Sequence, residues 1–216
     1  MRAHSTLQNC VVFIGVEHQG RFTPLGTGFF VAVSVEDVHY TYIATASHVI
    51  DQVSGEFVSI RLNRKGGGAE CIRINKSTVS RNETCDLSVF PVAADSSVYD
   101  YKMIPTLRRN QEALRREVWD WTHGDEVCVL GLYTSHYGAV RNTPVLRIGN
   151  IAAMLEEPVR GPGGNYMEAY LIELKTIAGL SGSPVFVNPP RVTMRNGQFV
   201  HWKGDEPAVI PLGILL

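Results

Sequence analysis

A serine in a glycine-containing segment is the first candidate for chemistry in this chain. Ser181 lies within residues 176–186, in a turn that contains glycine and serine and just before an apolar run. Gly179 lets the backbone bend so that the amides of Gly179 and Ser181 can point at one spot, as an oxyanion hole requires. A plain Gly/Ser turn between strands explains the same segment. The choice depends on whether the chain also supplies a base and an acid.

Two further segments carry such a base and acid. His48 follows a strand-like run at residues 40–46, and Asp86 precedes another at residues 87–92. A serine hydroxyl is a weak nucleophile until a base takes its proton, and a buried carboxylate orients that base and stabilises its imidazolium form. Taken singly, His48 could be a surface residue and Asp86 a turn former. With Ser181 they supply the nucleophile, base and acid of a Ser-His-Asp triad.

The elements that would position these residues are short strands. Apolar segments rich in Val, Ile, Tyr and Phe are separated by Gly, Pro, Asn and Asp, a pattern typical of β-structure. Six segments precede residue 100 and six follow residue 122: 9–17, 27–35, 40–46, 57–63, 70–75 and 87–92, then 126–133, 144–153, 167–174, 184–187, 198–202 and 209–216. Without alternating helices, these strands predict an all-β protein with two antiparallel units of six strands each.

One segment between the two units has helical rather than strand-like spacing. Between residues 101 and 121, apolar side chains recur at helical intervals among Arg, Glu and Gln: Leu107, Leu114, Val118 and Trp121. We therefore predict a domain at residues 1–100 carrying His48 and Asp86, a helical connector at 101–121, and a second domain at 122–216 carrying Ser181.

Composition excludes several function classes. The 216 residues include 20 Lys plus Arg and 21 Asp plus Glu, a net charge of −1 that gives no electrostatic footprint for nucleic acid. No run of 18 apolar residues could form a membrane span. The four scattered cysteines lack zinc-site spacing and favour free thiols. The apolar run at residues 10–14 is too short for a secretory signal, so we expect a cytoplasmic protein.

The segments around His48, Asp86 and Ser181, in that chain order, resemble those of the chymotrypsin-like serine peptidases, most closely the bacterial trypsin-like peptidase domains. The resemblance covers nearly the whole chain. Further matching strings lie at residues 26–31, 124–131, 144–149 and 212–214. Any one of these strings is weak evidence for the family by itself. The resemblance rests on their number and their order along the chain.

The resemblance implies two packed antiparallel six-stranded β-barrels, with the candidate residues meeting in the cleft between them. It implies a serine endopeptidase that acts on protein or peptide substrates through an acyl-enzyme and requires no cofactor. In that scheme His48, Asp86 and Ser181 are catalytic, and the Gly179 and Ser181 amides hold the oxyanion. By the same resemblance Lys175, six residues before the serine, falls near the base of the primary pocket, and a cation that faces the pocket predicts a preference for acidic side chains. A solvent-facing Lys175 is the alternative left open.

The chain departs from secreted animal relatives at two positions. Val49 stands where those enzymes have a cysteine, and Leu180 where they have an aspartate that pairs with a newly cleaved N-terminus. This favours the intracellular, disulfide-free bacterial branch and a regulated intracellular protease. Relatives continue past the strand matching residues 212–216, so we expect a fragment, with further domains or a regulatory partner. The alternative left open is a catalytically inactive trypsin-fold module that binds a partner.

Overall fold

The computed structural model of the protein describes residues 5–36, 38–82, 84–105, 121–161, 164, 166–187, 192–195, 198–201 and 210–216. Strands dominate this part of the chain. The helical pieces are one short α-helix, α1 (Ser47–Asp51), and three 3₁₀ turns at Ser5–Cys10, Lys76–Thr78 and Thr134–His136. Among the described residues, no helix has both the length and the apolar character needed to cross a membrane.

The first half of the chain forms one eight-stranded sheet. Its strands are β1 (Val11–His18), β2 (Arg21–Val35), β3 (Val38–Ala46), β4 (Phe57–Asn63), β5 (Ala69–Asn75), β6 (Ser80–Arg81), β7 (Leu87–Pro91) and β8 (Ile104–Pro105). They follow the order β5, β4, β1, β2, β3, β7, β6, with β8 beside β2. All neighbours are antiparallel except β2 and β8, which are parallel.

In the described residues of the second half, the strands form a five-stranded sheet and two small hairpins. Its strands are β9 (Glu126–Leu132), β10 (Pro144–Met154), β11 (Val159–Arg160), β12 (Tyr166–Met167), β13 (Tyr170–Leu174), β14 (Pro184–Val187), β15 (Val192–Arg195), β16 (Gln198–His201) and β17 (Ile210–Ile214). The antiparallel sheet has the order β13, β10, β9, β14, β17. The hairpins pair β11 with β12 and β15 with β16.

Strand β1 is apolar on both faces because it contributes to two hydrophobic cores. Successive strand side chains point to opposite faces of the sheet. Val12 and Ile14 lie in a core made by the first sheet. Val11 and Phe13 lie in a second core, shared with the other sheet.

Strand β9 has the same double role in the second sheet. Cys128 and Leu130 point into the shared core, whereas Val127 and Val129 lie in a third core of the second sheet. The shared core therefore joins the two sheets face to face, which brings their strand ends together.

All twelve predicted strand segments overlap strands of the structure, and the all-β class is confirmed. The expected six strands per half are not found in the described residues: the first sheet has eight and the second five. The two-residue strands β6 and β8 are too short to show hydrophobic alternation. In the second half the segment 198–202 pairs with Val192–Arg195 instead of joining the sheet.

The predicted helical connector at 101–121 needs a correction at its start. Residues Ile104–Pro105 form strand β8, which pairs with Val31 and Ala32 of β2. A residue that precedes proline is biased away from the helical region, which suits Ile104 to a strand. Residues 106–120 lie outside the described part of the chain, and with them most of the predicted helix.

Candidate active site

The end of β3 and the start of β7 bring His48 and Asp86 together. In the antiparallel register Ala46 lies opposite Leu87. The next pair continues this ladder, since the Ser47 amide donates to the Asp86 carbonyl at 3.2 Å. His48 is the second residue of α1, so its position follows directly from where β3 ends.

Asp86 makes two hydrogen bonds to His48. One carboxylate oxygen, Oδ2, lies 2.5 Å from Nδ1 of the imidazole. The other, Oδ1, accepts from the backbone amide of His48 at 2.9 Å. The Asp86 side chain is 13% exposed and that of His48 35%. The carboxylate is therefore largely shielded, while one edge of the imidazole remains open to solvent.

This arrangement selects one tautomer of the neutral His48 ring. An ionised carboxylate only accepts hydrogen bonds, so Nδ1 must carry the proton that it shares with Asp86. Nε2 is then the acceptor of the ring. In the described part of the chain, no other side chain bonds to the imidazole. Nε2 can therefore take a proton from a group that approaches it.

The loop between β13 and β14 carries Ser181. Leu180, the residue before it, is 2% exposed, and its carbonyl accepts from the Ser183 amide at 2.9 Å in a tight turn. The Ser181 carbonyl accepts from the Thr27 amide at 2.9 Å. Ser181 itself is partly exposed, and within the described residues its hydroxyl makes no hydrogen bond, either to His48 or to another group.

Gly182 lets this loop pack closely against the end of β3, the strand that precedes His48. Its φ of +85° favours glycine. A Cβ atom at this position would lie 2.0 Å from the Thr27 carbonyl oxygen, 2.5 Å from Oγ1 of Thr45 and 3.2 Å from the Ala46 amide. Ala46 is two residues before His48. The segments of Ser181 and His48 therefore meet, because the second sheet packs on the first.

The backbone around Gly179 leaves two amides without acceptors. The Ala178 carbonyl accepts from the Thr134 amide at 3.2 Å. Since the N–H and C=O of a trans peptide point in opposite directions, the Gly179 N–H is directed away from Thr134. Within the described residues neither the Gly179 nor the Ser181 amide donates to a protein acceptor. Two amides near one serine can stabilise an oxyanion.

A cavity of about 690 Å³ adjoins Asp86. Its lining includes Asp86 with its neighbours Cys85 and Leu87, and residues of β13 and β17. Four acidic residues line it, Asp86, Glu156, Glu157 and Glu168, together with one basic residue, Arg160. Lys175 is not among its lining residues, and it lies exposed after the end of β13.

The four cysteines are free thiols, as the sequence predicts. Burial raises the pKa of Cys10 and Cys128 to about 12 and that of Cys71 to about 11. Burial and the nearby Asp86 carboxylate raise the pKa of Cys85. The thiolate is the nucleophilic form of cysteine, so these protonated thiols are poor nucleophiles at neutral pH.

One residue at this site, Thr27, is absent from the sequence-based list of candidates. It is 0% exposed, and its amide and hydroxyl both bond to the loop that carries Ser181. The sequence contains a weak signal for it: a threonine between two glycines, Gly26 and Gly28, in a strand. Its bonding partners cannot be inferred from that signal, because they lie on the other sheet.

Comparison with known proteins supports this fold. No family model matches the sequence, and no curated protein sequence matches it. The structure is similar to that of the MamO protease domain from Magnetospirillum magneticum, with a TM-score of 0.53 and 13% identity over 96% of this chain and 94% of that one. It is similar to the structure of Deg5, with a TM-score of 0.54 and 17% identity over 96% of this chain and 85% of that one. The chain therefore has the fold of the trypsin-like serine protease domains.

Proposed function

We propose that the protein is a serine endopeptidase that hydrolyses peptide bonds through a covalent acyl-enzyme. Ser181 is the nucleophile, His48 the general base and acid, and Asp86 the residue that orients His48. The amides of Gly179 and Ser181 form the oxyanion hole.

The observation that carries this proposal is the pair of hydrogen bonds from His48 to Asp86, at 2.5 and 2.9 Å. They hold both the ring and the backbone of the histidine, which leaves Nε2 as the acceptor. The packing of Gly182 on the strand end before His48 supports Ser181 as the group that faces this acceptor. A base fixed in this way activates a serine hydroxyl.

The acylation step uses these groups in turn. The Ser181 Oγ forms a bond to the substrate carbonyl carbon while its proton passes to Nε2 of His48. The carbonyl oxygen becomes negative, and the Gly179 and Ser181 amides donate to it. The C–N bond then breaks, and the imidazolium returns its proton to the leaving amine, so Ser181 is left as an ester.

Deacylation repeats the same chemistry with water as the nucleophile. His48 takes a proton from water, whose oxygen adds to the ester carbon, and then returns the proton to Oγ of Ser181. The ester C–O bond breaks, which releases the carboxylic acid product and restores the enzyme. All proton transfers use His48, and the scheme needs no metal or organic cofactor.

The proposal extends to the organisation of the chain. We assign the base and acid to a domain at residues 1–100 and the nucleophile to one at 122–216, each built as a β-barrel. The bacterial, intracellular and regulated character of the protease remains a prediction from the resemblance. It would be tested by locating the protein in fractionated cells and by comparing its activity there with that of the purified protein.

Specificity remains a prediction that rests on Lys175. A cation near the primary pocket favours acidic side chains through charge attraction. We expect reporters with Glu or Asp before the scissile bond to be cleaved faster than those with Lys or Leu, and Lys175→Glu to reverse this order. Equal cleavage of all reporters by the unaltered protein would contradict the specificity role of Lys175. It would not bear on the proposed catalytic roles of His48, Asp86 and Ser181.

Hydrolysis of a mixed peptide library, read by mass spectrometry, tests the proposed activity. We compare the unaltered protein with Ser181→Ala, His48→Ala and the control Ser183→Ala. Ser183 is a suitable control because its buried Oγ has no hydrogen-bond partner in the described structure. Loss of about 10⁶-fold in kcat for the first two variants, with activity kept in the control, is the expected result. Cleavage that survives Ser181→Ala would overturn the proposal, and a folded but inactive unaltered protein would favour the partner-binding alternative.

A further inference from the structure

Thr27 makes four hydrogen bonds where the loop that carries Ser181 packs on β2. Its hydroxyl donates to the Gly179 carbonyl at 2.6 Å and accepts from the Leu132 amide at 3.0 Å. Its amide donates to the Ser181 carbonyl at 2.9 Å, and its carbonyl accepts from Oγ1 of Thr45 at 2.8 Å. One buried residue of β2 thus bonds to both residues whose amides would form the oxyanion hole.

The Thr27 hydroxyl restrains the backbone around Gly179, which the loop does not restrain by itself. Gly179 has a φ of +96° and no side chain, so its flanking peptides can rotate unless they are held from outside. The Thr27 hydroxyl holds the peptide after Gly179. The same hydroxyl fixes Leu132 at the end of β9, two residues before Thr134, whose amide holds the peptide before Gly179. Both peptides around Gly179 are therefore restrained, directly or through β9, by this side chain.

We propose that Thr27 is a positioning residue that sets the directions of the Gly179 and Ser181 amides. The inference rests on the proposed serine peptidase function. Thr27 touches no reacting atom in this scheme and acts through the loop. The developing oxyanion is sensitive to donor position, since a misplacement of about 1 Å can cost about 10²-fold in rate.

The test compares Thr27→Val with Thr27→Ser. Valine keeps the shape of the side chain and removes both hydroxyl bonds, whereas serine restores the hydroxyl. We expect Thr27→Val to lose about 10²-fold in kcat with KM changed by less than about threefold, and Thr27→Ser to stay within about fivefold of the unaltered protein. The affinity for a peptide aldehyde, which forms a tetrahedral adduct, should fall in Thr27→Val by the same factor as kcat.

Two further measurements separate positioning from mere stability. Ile60→Val removes a methyl group from the core made by the first sheet, where Ile60 is 0% exposed, and should lower the melting temperature with little change in kcat. Amide NMR signals of Gly179 and Ser181 should shift in Thr27→Val and not in Thr27→Ser, a readout that needs no activity.

If the unaltered enzyme is active and Thr27→Val keeps its kcat, its aldehyde affinity and both amide signals, the role of Thr27 is overturned. An inactive unaltered protein overturns the proposed function instead, and unshifted amide signals then overturn the role of Thr27.

Discussion

Asp86 holds His48 by two separate hydrogen bonds, one to the ring Nδ1 and one to the backbone amide. The backbone bond satisfies an amide at the beginning of α1 that has no partner within the helix. One carboxylate therefore fixes both the start of the helix and the orientation of the imidazole. The two functions can be separated by substitution, because an amide side chain keeps one bond and alters the other.

Replacing Asp86 by Asn should leave the fold intact and remove most activity. The Asn oxygen can still accept from the His48 backbone amide, but its NH₂ group favours the ring tautomer with the proton on Nε2. We expect kcat to fall about 10⁴-fold with little change in the melting temperature. Asp86→Ala should lose both bonds and cost about 1 kcal/mol of folding free energy as well. An Asn variant within tenfold of the unaltered kcat would contradict this role of Asp86.

Replacing Gly182 by Ala should disturb the contact between the two sheets. The added Cβ would lie 2.0 Å from a backbone oxygen, at a φ of +85° that alanine rarely adopts. We expect a loss of about 2 kcal/mol or more in unfolding free energy and a loss of activity. Gly55→Ala is the control, since nothing lies within 4 Å of its Cβ position. Urea unfolding of both variants makes the comparison, and equal stabilities would argue against the described packing of Gly182.

A buried arginine joins the two sheets on another side of the shared core. Arg61 of β4 is 6% exposed, and its guanidinium donates to the Tyr137 and Gly138 carbonyls at 2.9 and 3.0 Å. It also donates to Oδ1 of Asn142 at 2.8 Å. Burial lowers its pKa from the ordinary value. The segment between β9 and β10 is thereby tied to the first sheet.

We expect Arg61→Met to destabilise the protein by about 3 kcal/mol, because it leaves three acceptors without their donor, one of them buried and two partly buried. Arg64→Met is the matched control. Arg64 pairs with Glu70 at 2.9 Å, but the two side chains are 50% and 45% exposed, so this pair should contribute less than about 1 kcal/mol. Denaturant midpoints of the two variants give the difference. Similar losses in both would contradict the structural role assigned to Arg61.

Alkaline pH should destabilise the fold through the buried thiols. Burial raises the pKa of Cys10 and Cys128 to about 12, from an ordinary value of 9.0. The protonated thiol is favoured in the folded state, so its contribution is complete below pH 9 and is lost as the pH rises toward 12. Between pH 7.5 and 10 each thiol should cost about 1 kcal/mol. In urea titrations Cys128→Ala should lose less stability over this interval than the unaltered protein, and an equal loss would exclude Cys128 as a cause.

The strands could be predicted because their signals are local, and the three candidate catalytic residues are nominated on local signals of the same kind. Hydrophobic alternation marks each long strand, and His48, Asp86 and Ser181 lie in short segments of recognisable composition. The strand count per sheet could not be predicted. The two-residue strand at Ile104–Pro105 depends on a parallel pairing with β2, which no local pattern encodes.

The role of Thr27 could not be predicted for the same physical reason. Its hydroxyl bonds to the Gly179 carbonyl across 152 residues of chain. That contact exists only because the shared hydrophobic core docks the two sheets. The network of Arg61 with Asn142 depends on the same docking. Local sequence shows which residues can do chemistry, and the packing of the sheets determines which neighbours hold them in place.

Covalent labelling by a fluorophosphonate tests the central claim most directly, because the probe forms an adduct only with an activated serine hydroxyl. We would label the unaltered protein and His48→Ala, and locate the adduct by peptide mass spectrometry. A single adduct on Ser181 that is absent from His48→Ala is the predicted result. A folded protein that takes no label, or takes it on a serine other than Ser181, would contradict the account.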